Sequence, residues 1–80
     1  MKTILVENLS PEVTLQDLQS LFESYGQIIG IDVVKAQDFG YVRMADDSEA
    51  YRAIKGLNGG LCSGTKLKVA LALSYSGRKR

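Results

Sequence analysis

The chain has 80 residues, 45% of them hydrophobic, with ten basic and nine acidic side chains and a net charge of +1. Such a length makes one small domain; a single cysteine excludes an internal disulfide and any multi-cysteine metal site, and the lack of histidine removes the commonest general base and metal ligand. The apolar run Ile4-Leu5-Val6 is too short for a secretory signal and no stretch approaches the roughly 20 residues of a membrane span, so the expectation is an intracellular binding module, monomeric in isolation, and neither an enzyme nor a membrane protein.

Thr3 to Leu9 reads as the first strand, with Ile4 and Val6 facing one way and Thr3, Leu5 and Glu7 the other. Asn8-Leu9-Ser10-Pro11 ends it. A helix is predicted from Leu15 to Tyr25. Thr14 is its N-cap, with Asp17 three residues on, and Gly26 is its stop. Leu15, Leu18, Leu21, Phe22 and Tyr25 follow helical spacing and form one apolar stripe, read as core. Gln27 to Val34 is the second strand. Ile28, Ile31 and Val33 are its core residues, Gly30 offers a bulge or a close approach, and Asp32 and Val34 take the other face.

Lys35 to Asp38 makes a short turn into the third strand, Phe39 to Met44. Gly40, Val42 and Met44 suit a core. Phe39, Tyr41 and Arg43 point the opposite way. Two readings of that face stay open. The aromatics are β-formers in a half-buried strand, or they are a platform for bases, with arginine for phosphate. Ser48 to Leu57 is the second helix. Asp46 or Asp47 caps it, Asp46 with Glu49 approximates a capping box, and Ala50, Ala53, Ile54 and Leu57 share a face. Asn58-Gly59-Gly60 stops it, and a glycine-rich connection to Gly64 carries Cys62, read as a small packing residue. Lys66 to Leu73 is the fourth strand, with Leu67, Val69 and Leu71 inward and Lys66, Lys68 and Ala70 outward. Residues 2–73 form the domain, and 74–80 a flexible tail ending in Arg78-Lys79-Arg80.

Charge is divided along the chain. Residues 1–40 carry two basic and six acidic side chains, net −4, and residues 41–80 carry eight basic and three acidic, net +5. The positive half holds Tyr41 to Met44 of the aromatic strand, Lys66, Lys68 and the tail, a pattern that suits a nucleic-acid footprint. Arg52 and Lys55 equally suit a solvated helix face.

The order strand, helix, strand, strand, helix, strand is the α+β split βαβ arrangement of ferredoxin-like folds. Right-handed crossovers place both helices on one face of a four-stranded antiparallel sheet and leave the other face open. The first and third strands then sit at the centre, with Leu5 beside Tyr41, Phe39 next to them, and Lys68 on an edge strand.

Over residues 2–73 the sequence resembles the RNA recognition motif family. Ile4-Leu5-Val6-Glu7-Asn8-Leu9 resembles its first-strand hexamer, and Gln37 to Met44 its third-strand octamer, best at Phe39-Gly40-Tyr41-Val42. Leu18…Phe22…Tyr25-Gly26, Ala50…Ala53-Ile54…Leu57-Asn58-Gly59 and Gly64-Thr65-Lys66-Leu67-Lys68-Val69 are also similar, in the family's order and spacing. The resemblance implies single-stranded RNA bound across the sheet, with Tyr41 under a base, Phe39 against sugars or a base, and basic residues on phosphate. It implies no cofactor and no metal, and a nuclear or nucleocytoplasmic part in mRNA processing within a longer protein.

The sequence departs from the family's pattern at three positions of that face. Gln37 and Asp38 replace a basic residue and a glycine, and Leu5 stands where a stacking aromatic is usual. Stacking contributes about 1–3 kcal/mol per base, so a missing platform implies an affinity lower by roughly one to two decades. Glu7, Asp32 and Asp38 oppose phosphate; Arg43, Lys66, Lys68 and Arg78-Lys79-Arg80 offset them. Met44 replaces a final aromatic at an internal position. The main alternative is a protein partner on the same face, with Leu5, Val34, Phe39 and Tyr41 as an apolar patch. Catalysis is disfavoured because no nucleophile–base pair can be named.

Overall fold

A computed structural model describes residues 2–62 and 64–72. The elements are β1 (Lys2–Glu7), α1 (Leu15–Glu23), β2 (Ile28–Val34), a 3-10 turn (Lys35–Gln37), β3 (Phe39–Met44), α2 (Asp47–Leu57), β4 (Leu61–Cys62), β5 (Thr65–Lys66) and β6 (Lys68–Leu71). The main sheet is antiparallel with order β2-β3-β1-β6, so β1 and β3 are central, as the crossover rule requires. Both helices cover one side of it. There Ile4, Val6, Val42, Met44 and Val69 from the strands meet Leu18 and Phe22 of α1 and Ala50 and Ala53 of α2 in a single buried cluster. The two alanines let α2 lie close to the sheet. The alternation of β3 is strict: Gly40, Val42 and Met44 are buried, and Phe39, Tyr41 and Arg43 are half-buried on the open side.

Each helix begins at a side-chain cap. Thr14 and Asp17 form a reciprocal capping box, Asp17 N donating to Thr14 Oγ1 (3.1 Å) and Thr14 N to Asp17 Oδ2 (3.0 Å). Asp46 Oδ1 accepts from the Ser48 amide (2.8 Å), the Ser48 hydroxyl (2.7 Å) and the Glu49 amide (3.1 Å). This second cap works in one direction only, because the Glu49 carboxylate lies against Gly26 rather than returning to the Asp46 amide.

Four expectations change. First, α1 stops at Glu23, two residues early, because Tyr25 N bonds to Phe22 O and Gly26 N to Glu23 O in a tightened last turn. Gly26 is not in the left-handed region and so does not act as a left-handed stop; Gly59 at φ +84 is. Second, Leu15 is half exposed (51%), while Leu9 and Val13 from the preceding loop are buried in the core. Third, the extra residue of the β2 bulge is Ile29, between the pairs Ile28↔Met44 and Gly30↔Arg43. Fourth, the long final strand is broken at Leu67, whose amide donates to Gly60 O and whose carbonyl accepts from Gly59 N (both 2.8 Å). Lys66 therefore belongs to a small antiparallel hairpin, Leu61↔Lys66 and Cys62↔Thr65, and only β6 pairs with β1. The hairpin is moored by Asn8 Nδ2, which donates to Lys66 O at 2.6 Å. Leu73 and the tail, including Arg78, Lys79 and Arg80, lie outside the described residues.

Asp38 takes φ +60, the left-handed region, and its carbonyl accepts from Leu9 N at 2.8 Å. The family's usual glycine suits this backbone, and aspartate is among the few side chains that tolerate it. Asp38→Ala is expected to be less stable than Asp38→Gly by about 1 kcal/mol in urea unfolding; equal stabilities would contradict the left-handed geometry. The Asp46 carboxyl is held below its ordinary pKa, chiefly by the Ser48 hydroxyl and then by the Glu49 amide. A depressed folded-state value means the cap is at full strength near neutral pH and is lost as pH falls from the ordinary carboxylate range through that lower value. Asp46→Asn, which still caps but does not titrate there, is expected to flatten the acid limb of stability against pH.

Candidate nucleic-acid interface

The register of the sheet turns the open face into a grid. One row reads Ala70, Leu5, Tyr41, Asp32 across β6, β1, β3 and β2; the next reads Lys68, Glu7, Phe39, Val34. A third row holds Thr3, Arg43 and Gly30 across β1, β3 and β2, with the Ala72 amide donating to Thr3 O (2.9 Å) at its β6 end. Five of the predicted residues, Leu5, Phe39, Tyr41, Arg43 and Lys68, thus share one surface. Lys66 does not join them on the sheet. It is exposed on the hairpin, near the end of β1 where Asn8 holds its carbonyl.

The Phe39 and Tyr41 rings meet edge to face, centroids 5.5 Å apart at 79°. Each fixes the other's orientation, and such a pair contributes about 0.5–1.5 kcal/mol beyond simple burial. Leu5 lies directly across from Tyr41. Its aliphatic side chain gives the centre of the grid an apolar floor without a third ring. Beyond Phe39, a shallow pocket of about 310 Å³ is lined by Glu7, Asn8, Gln37, Asp38, Phe39 and Lys68. Asn8, in the left-handed region at φ +66, and Asp38 bound this pocket. Asn8 carries no chemistry that marks it in the sequence; only the fold shows that it closes the end of the platform.

Of the three acids expected near this face, Asp38 lines the pocket beyond Phe39 and the other two lie within the rows of the grid. Glu7 sits between Phe39 and Lys68 in its row. Asp32 is beside Tyr41 and pairs with Arg43, Nη1 to Oδ2 3.8 Å. That contact depends on Gly30. A Cβ there would run into the Arg43 guanidinium, so the missing side chain lets the arginine lie across β2 and reach the carboxylate. With side-chain exposures of 42% and 68%, the pair adds at most about 1 kcal/mol to stability. Its effect is to orient the two groups.

The model of the RNA recognition motif family matches residues 4–68. The chain belongs to that family. It is 39% identical over 69 residues to RNA-binding protein 4B of Homo sapiens, covering 86% of this chain and 19% of that protein. It is 36% identical over 77 residues to polyadenylate-binding protein RBP45A of Arabidopsis thaliana, covering 88% of this chain and 20% of that one. The chain therefore spans about a fifth of the length of these curated relatives. Among solved structures, the crystal structure of RNA binding protein PG1 superposes with a TM-score of 0.83 at 34% identity, over 91% of this chain and 95% of that one.

Gly30→Ala is expected to displace Arg43 from Asp32 while leaving the fold intact. In the wild type, nuclear Overhauser contacts should join the Arg43 guanidino protons to the Gly30 α-protons; their absence would contradict the cradle.

Proposed function

We propose that the domain binds single-stranded RNA across its open sheet face, as one module of a longer RNA-handling protein. The observation that supports this most directly is the side-by-side setting of Phe39 and Tyr41 in the middle of a solvent-facing sheet, in a chain of the RNA recognition motif family. Rings in that setting offer stacking area to bases of any sequence. Tyr41 carries one base, with Leu5 as the apolar floor beside it, and Phe39 packs against the neighbouring sugar or base. Lys68, at the β6 edge, contacts phosphate. Lys66 from the hairpin and Arg78, Lys79 and Arg80 from the tail add to that charge. Glu7, Asp32 and Asp38 work against the backbone, so binding is modest and falls with salt.

A nuclear or nucleocytoplasmic place in mRNA handling fits relatives that carry the names RNA-binding protein and polyadenylate-binding protein. No helix among the described residues is long and apolar enough to cross a membrane.

Phe39→Ala combined with Tyr41→Ala is expected to weaken binding to pooled single-stranded RNA at least tenfold, measured by amide titration with the fold confirmed by spectral dispersion. Unchanged affinity in a folded double variant would overturn the reading and turn attention to a protein partner on Leu5, Val34, Phe39 and Tyr41.

A further inference from the structure

Asp32 has no obvious place on a surface that meets phosphate. Its setting is nevertheless specific. It is the direct cross-strand neighbour of Tyr41, on the same face, and opposed residues of an antiparallel pair stand about 5 Å apart at Cβ. A base lying on the Tyr41 ring therefore turns one edge toward Asp32. An ionised carboxylate is an acceptor only, with two oxygens side by side. Arg43 reaches it across Gly30 at 3.8 Å, a distance for an ionic contact and not a hydrogen bond, and no hydrogen bond among the described residues occupies the carboxylate oxygens. The arginine does two things there. It balances the charge that would repel RNA, and it places N–H donors next to the carboxylate.

The combined surface is two acceptors followed by donors. Among the four RNA bases, the Watson–Crick edge of guanine matches it: N1–H and N2–H₂ are adjacent donors, and O6 is an acceptor beside them. Adenine and cytosine each offer one amino donor next to a ring acceptor, which would face the second carboxylate oxygen. Uracil offers one imino donor between two carbonyls. Single-stranded RNA exposes these edges for reading. We propose that Asp32 and Arg43 form a base-reading pair that selects guanine stacked on Tyr41, with Gly30 as the residue that positions the arginine. This rests on the sheet-face reading of RNA binding above.

The test uses the full 80-residue chain and three RNAs: an oligouridine, the same RNA with one central guanosine, and the same with inosine there. Inosine keeps N1–H and O6 but lacks the N2 amino group. Wild type should bind the guanosine RNA roughly tenfold more tightly than oligouridine, and inosine should lose most of that gain. Asp32→Ala should bring the three RNAs to within about twofold of one another. Wild-type binding without preference for guanosine would overturn the base assignment alone. So would an Asp32→Ala variant that tightens all three equally, since that is the signature of a charge merely repelling phosphate. No binding to any of the three would overturn both this assignment and the sheet-face reading. The inosine comparison uses the unmutated protein and is independent of how any variant folds.

Discussion

The antiparallel pairing of β1 with β3 at the centre of the sheet governs both surfaces of this domain. Ile4 opposite Val42 and Val6 opposite Gly40 face the helices, while Leu5 opposite Tyr41 and Glu7 opposite Phe39 face solvent. Side chains alternate with a period of two, so a slip of one residue would send Phe39 and Tyr41 into the core and Val42 into water. Core packing therefore specifies the interface. Phe22, Leu18, Ile4 and Val42, all fully buried, hold the register that brings Leu5 against Tyr41.

The open face is a compromise between charge and adhesion. Its aromatic pair sits between an edge with Glu7 and Lys68 and an edge with Asp32 and Arg43, each acid having a base nearby. In the RNA-binding function proposed above, local pairing of this kind would lower nonspecific attraction to phosphate and leave more of the recognition to stacking and to base edges. The basic residues of the second half of the sequence are correspondingly scattered: Arg52 and Lys55 on α2, Lys66 on the hairpin, Lys68 at the β6 edge.

Much of this was legible from residue order. The alternation in Phe39–Met44 and in Thr3–Glu7 is strict, and two crossovers of fixed hand leave one arrangement of the strands, so Leu5, Phe39, Tyr41, Arg43 and Lys68 could be placed together. What could not be read depended on long-range contacts. Lys66-Leu67-Lys68-Val69 alternates like an unbroken strand, but Gly59 and Gly60 take the Leu67 backbone and split it. Leu15 has helical spacing yet is half exposed, while Leu9, read as the end of the first strand, and Val13 are buried from the loop between β1 and α1. Asp38 looked like a loss of the family's glycine, and its backbone keeps the glycine-like conformation all the same. The glycine at position 30 suits a close approach in the sequence already, but the group that approaches it, Arg43 reaching diagonally to Asp32, is set by the pairing of the strands and is not visible in one dimension.

The bulge at Ile29 has a consequence for association between molecules. β2 is an outer strand of the sheet, and its exposed rim carries backbone donors and acceptors that a second chain could extend. A continuous ladder needs a regular repeat along that rim. The extra residue at Ile29 interrupts the repeat and sharpens the local twist, so an incoming strand finds matching partners along only part of β2. The irregularity beside the Arg43 cradle thus also makes the Ile28 end of β2 a poor template for edge-to-edge pairing.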